Sequence, residues 1–150
     1  MKEDNRRLFF CGDIHGDFRE FVWTATQKYK ITNSDINILG DFGIGFDGSL
    51  PGEYKHVEKR LKENNICIWV LRGNHDDPSF FTDEEKFSYP LLRFMEDHKV
   101  YKICDKEIYI IGGANSTDVV WRLEANQKLA AGGKDRKVWW EDEDVVKKYN

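Results

Sequence analysis

The sequence predicts an α/β fold with a parallel sheet, and three recurring features predict it. First, Leu8-Phe9-Phe10-Cys11, Ile36-Asn37-Ile38-Leu39 and Ile66-Cys67-Ile68-Trp69-Val70-Leu71 are short apolar runs that read as buried strands. Second, stretches with helical spacing separate them, as a strand–helix–strand crossover requires. Third, each run gives way to a glycine and then to residues able to ligate metal: Gly12-Asp13-Ile14-His15-Gly16, Gly40-Asp41-Phe42-Gly43 and Arg72-Gly73-Asn74-His75-Asp76. Glycine releases the backbone from strand geometry. If the strands are parallel neighbours, all three sets converge at one edge of the sheet, where ligands bind in open α/β sheets.

With 150 residues the chain is one domain, 1–150, long enough to bury a core. Its formal net charge of −4 supplies no global basic field, so nucleic acid is not indicated as a partner. A negative protein that handles phosphates needs cations to offset repulsion. The charged start, Met1 to Arg7, and the short run after it do not make a secretory signal. No stretch approaches the ~20 apolar residues of a bilayer span, so no membrane is expected. Cys11, Cys67 and Cys104 are odd in number and far apart, which predicts free thiols in a reducing, cytoplasmic setting.

After the first strand, Phe18, Phe21, Val22 and Ala25 stand at helical spacing, with Asp17 placed to cap the helix. Thr32-Asn33-Ser34-Asp35 is turn chemistry before the second strand. Ile44 to Gly52 is glycine-rich but lacks the lysine and spacing of a phosphate-cradling P-loop; it reads as a rim loop. Glu53 to Asn65 forms the second helix, with Tyr54, Val57 and Leu61 on its apolar face and His56 off it. Pro78 to Glu85 reads as an exposed connection with an aromatic anchor, and His98 as a surface residue. Val100 to Ile103 and Glu107 to Ile111 have a hairpin pattern around Cys104-Asp105-Lys106. Beyond it, Asn115, Asp118 and Arg122 either face the site or pair among themselves to shape a loop. Trp139 and Trp140 read as packing anchors before Glu141 to Lys148, where acids lead and lysines follow as a helix dipole favours.

The chemistry follows from residue types. Asp13 and His15 alternate along an extended segment, so both point to one side and grip one cation. The two oxygens of Asp41 suit a bridge to a second ion, and Asn74 offers a neutral amide oxygen that adds no negative charge. Mixed oxygen and imidazole donors suit manganese, iron or zinc. Two such ions ~3.5–4 Å apart activate a hydroxide for in-line attack on phosphorus. His75, beside a ligand, is placed to protonate the leaving oxygen.

These blocks resemble the first three signatures of the calcineurin-like metallophosphoesterase superfamily. The resemblance implies a metallophosphatase-like αββα sandwich, two sheets face to face with helices outside. It also implies up to two divalent ions and a phosphate-ester substrate. By the same resemblance, Asp13 and His15 bind one metal, Asp41 bridges, Asn74 binds the other and His75 is the acid. Gly112-Gly113-Ala114-Asn115-Ser116 with Asp118, Arg122 and the later tryptophans is similar to one bacterial branch. Two departures bear on function. The second block holds Ile44 and Gly45 where the family usually has Asp and Arg, which argues against a serine/threonine phosphatase. No histidine follows His98, whereas the family completes its sites with further histidines. The chain is therefore expected to be an N-terminal portion, with an incomplete sandwich and self-association through an uncovered sheet face. The leading expectation is a metal-dependent phosphoric ester hydrolase using a metal-activated hydroxide. The alternatives are a non-catalytic metal-binding remnant or half-domain needing another chain, and a nucleic-acid phosphodiesterase or binding module.

Overall fold

In a computed structural model, residues 6–45, 50–114, 117 and 119–132 are described. The three apolar runs form strands β1 (Arg7–Cys11), β2 (Ser34–Leu39) and β3 (Ile66–Leu71), and a short fourth, β4 (Leu92–Phe94), joins them. All four are parallel in the order β1-β2-β3-β4. Alternation sorts their side chains onto two faces. One face, with Ile36, Ile38, Ile66, Ile68, Val70, Leu92 and Phe94, is covered by helices α1 (Phe18–Trp23) and α2 (Leu50–Glu63) through Phe18, Val22, Tyr54, Val57 and Leu61. The other face, with Leu8, Trp69 and Leu71, is packed by the antiparallel hairpin β5 (Val100–Ile103) and β6 (Lys106–Tyr109). Phe10 and Leu39 on that second face stay half exposed. Helices, parallel sheet and hairpin thus stack as three layers, the hairpin standing where the second sheet of the sandwich is expected.

Several local expectations change. Ser34 and Asp35 belong to β2 and are buried, not turn residues. Burial is tolerated because Arg6 Nε donates to Asp35 Oδ2 at 2.7 Å, Trp69 Nε1 to Oδ1 at 2.9 Å and Cys104 Sγ to Oδ2 at 3.0 Å. Asp17 stands before α1 but its side chain makes no capping bond. A π-helical turn, Thr24–Lys28, continues α1, and Thr26 Oγ1 donates back to the Val22 carbonyl at 2.8 Å, a bond of the kind that often bends helices. Helix α2 starts at Leu50, earlier than expected, with Pro51 in its first turn, where its missing N–H costs nothing.

Pro78 to Glu85 is not simply exposed. Pro78–Phe81 is a 3-10 turn capped by Asp77, which accepts from the Ser79 amide, and Glu84–Phe87 is a short helix, α3. Phe81 drives this by burying itself against Phe94 at 5.4 Å. The β5–β6 loop is only Cys104 and Asp105, both at positive φ, the geometry tight hairpins demand. Helix α4 (Val119–Ala130) buries Arg122 and exposes Val120 and Trp121. Asn115, Asp118, Trp139, Trp140, Glu141 to Lys148 and residues 46–49 of the glycine-rich loop lie outside the described residues. Among the described residues no helix is long and apolar enough to cross a membrane.

Candidate metal centre

The parallel register delivers the ends of β1, β2 and β3 to one edge, and close backbone bonds lock the three loops together. The amides of Ile14 and His15 donate to the Asp41 carbonyl at 3.2 and 2.9 Å, and Gly16 N donates to Phe42 O at 2.8 Å. The contact needs glycine, because a Cβ on Gly43 would sit 2.6 Å from Gly16 N. A Cβ on Gly73 would fall on the backbone and carboxylate of Asp41. Gly43 and the glycine of the Gly73-Asn74 pair are therefore packing requirements, whereas a Cβ on Gly12 would meet nothing within 4 Å.

Within this frame Asp13, His15 and Asp41 each present a ligand atom, all within 4.8 Å of one another. His15 Nε2 lies 3.7 Å from Asp13 Oδ2. Asp13 and His15 are exposed and Asp41 is half-buried, so the cluster opens to solvent. His15 and Asp41 hold φ of 45° and 48°, the left-handed region non-glycine residues avoid. Lys30, Asn33, Asn65, His98, Cys104 and Asp105 share that region, all in connections between elements. Two oxygens and one imidazole with room for further donors fit a divalent ion, and this is the cluster of that kind among the described residues.

The third loop is fastened to the second. His75 N donates to Asp41 Oδ1 at 3.0 Å, and the His75 ring meets the His15 ring edge-on at 5.1 Å. His75 thus sits beside the cluster, and Asn74 precedes it at the same edge. Asp76, fully buried, accepts four backbone amides: Gly43 and Ile44 on Oδ1, Phe42 and Gly73 on Oδ2, at 2.7–3.2 Å. Burial pushes the Asp76 carboxyl up to about 6, against the pull of those four donors toward the anion. It acts as a clasp between loops, a role hidden in the sequence because its partners are backbone groups. Ile44, where the family usually carries an acid, is buried and donates its amide to Asp76.

Arg72 and Arg122 are the other residues sequence reasoning left without an assigned role. Arg72 is buried and donates to Asp97 at 2.7 Å and to the Gly112 carbonyl at 3.2 Å, tying β3 to the segment after the hairpin. Arg122 reaches the third loop, while a pairing with Asn115 or Asp118 falls outside the described residues. It is fully buried, its Nη1 donates to the Asn74 carbonyl at 3.0 Å, and its Nη2 lies 3.0 and 2.6 Å from the two ring nitrogens of His75. His56 and His98 are exposed and away from the cluster.

A family model described as calcineurin-like phosphoesterase matches residues 6–149. No curated protein and no solved structure matches the chain.

Proposed function

The chain belongs to the calcineurin-like phosphoesterase family, and from that premise we propose that it hydrolyses a phosphate ester with divalent metal. The observation that carries the reading is the convergence of Asp13, His15 and Asp41, from two different strand ends, within 4.8 Å. Asp13, His15 and Asp41 would hold one ion; Asp41 and Asn74 would hold a second, more weakly for want of donors. Such ions supply Lewis acidity and lower the pKa of water. Manganese, iron or zinc suits the mixed donors. His75 gives a proton to the ester oxygen as the P–O bond breaks, so the alcohol leaves neutral while a water-derived oxygen completes the phosphate.

The test compares an activated aryl phosphate with an alkyl phosphate in manganese. Asp41→Ala should abolish both activities. His75→Ala should hurt the aryl ester modestly and cost the alkyl ester on the order of 10²–10⁴-fold, because only the poor leaving group needs its proton. Equal damage on both esters would make His75 an orienting group.

A second reading, metal binding without turnover, is favoured by the single three-donor cluster among the described residues. Manganese titration should then show at most about one tightly held ion. Metal binding with no metal-dependent hydrolysis of either ester would decide for this second reading.

A further inference from the structure

Arg122 is the one buried residue of α4, a helix whose neighbouring Val120 and Trp121 face solvent. Among the described residues its guanidinium reaches the Asn74 carbonyl and the His75 imidazole, with Nη2 within 3.0 Å of both ring nitrogens. A neutral imidazole carries a proton on one nitrogen and a lone pair on the other. A guanidinium has only donors, so its bond to the ring goes to the lone pair and covers it. The same ring stands edge-on to His15, whose imidazole belongs to the metal cluster, and its own amide is bonded to Asp41. An ester oxygen within hydrogen-bond reach of His75 therefore brings the other oxygens of the same phosphoryl group to Arg122. Phosphate oxygens are stronger acceptors for a guanidinium than imidazole nitrogen, because the bond is charge-assisted on both sides and allows a two-pronged fit.

Resting on the phosphate-ester reading above, we propose that Arg122 is an exchanging anchor: without substrate its Nη2 covers His75, and with substrate Nη2 turns its N–H groups to the non-bridging phosphoryl oxygens. The exchange frees the imidazole lone pair only once a phosphate is seated, and the freed nitrogen then takes from water the proton that His75 passes to the leaving oxygen. The Asn74 carbonyl keeps hold of Nη1 throughout, so α4 stays docked while Nη2 changes partner. The ligand class is a phosphomonoester or phosphodiester, which leaves at least two unesterified oxygens on the reacting phosphorus.

The test uses the full chain loaded with zinc, which is diamagnetic, and inorganic phosphate as probe. Calorimetry gives zinc and phosphate affinities, and ¹⁵N spectra of labelled histidines follow the His75 ring. In the wild type, phosphate should shift the His75 ring nitrogens with the same midpoint as binding. Arg122→Gln should weaken phosphate about 10- to 100-fold while zinc affinity stays within about twofold. Arg122→Lys, which keeps the charge but has one nitrogen to offer, should fall between. If Arg122→Gln does not fold, Arg122→Lys alone decides. Unchanged phosphate affinity in the folded variants, or phosphate binding with a silent His75 ring, overturns the exchange. Absence of zinc binding by the wild type instead removes the metal reading itself, and the exchange falls with it.

Discussion

The two ends of the parallel sheet handle carboxylates in opposite ways. At the end where the strands begin, Asp35 is buried and receives Arg6, Trp69 and Cys104. Burial alone would push its carboxyl up, but the bonds from those three donors together outweigh that and hold it below the ordinary value. At the end where the strands finish, Asp13 and Asp41 meet His15, and among the described residues no Lys or Arg forms an ion pair with either. There the backbone also holds positive φ at His15 and Asp41. A carboxylate satisfied by protein donors stabilises the fold, whereas carboxylates gathered without a counter-cation leave a place for one to bind.

The contrast breaks if both ends respond alike to mutation. Asp35→Ala should cost about 3 kcal/mol of unfolding free energy, since it strands Arg6 in a half-buried setting, with divalent affinity unchanged; urea melts and metal titration check both. Asp13→Ala should do the reverse. Divalent affinity should drop about 100-fold or more, beyond the loss typical of groups that only support a ligand, while metal-free stability moves by less than about 0.5 kcal/mol. A clear loss of metal-free stability in Asp13→Ala would place that carboxylate with the structural end.

Gly73→Ala sharpens the boundary between the two behaviours. Its Cβ would collide with Asp41, so both stability, by about 2 kcal/mol, and metal affinity should fall together. The smallest effect is in pH. Asp35 has a folded pKa below its unfolded one, so its contribution is present above about pH 4 and is lost as pH falls through the folded value. The stability gap between wild type and Asp35→Asn should hold from pH 7 to about 4 and narrow as pH falls further. A gap that stays constant would mean that Asp35 does not titrate differently in the folded chain.

Much of this was legible in the residues. The strands β1, β2 and β3 follow from short, largely apolar runs, the hairpin from alternation, and the cluster from an Asp, a His and a second Asp each set just past a strand. These signals are local: a pattern of two or three and a glycine suffice to specify them. Strand β4 escaped because three residues carry too little pattern, and Ser34 and Asp35 read as turn because their composition is that of turns. Only the tertiary structure placed them in a strand, since the partners that make a buried Asp35 tolerable come from Arg6, Trp69 and Cys104, 29, 34 and 69 residues away. The same holds for the Asp76 clasp and for Arg122, 47 residues beyond His75. Sequence fixes which groups can bind a cation, because ligand chemistry belongs to side chains; which buried polar group is satisfied, and by whom, depends on contacts that exist only once the sheet is assembled.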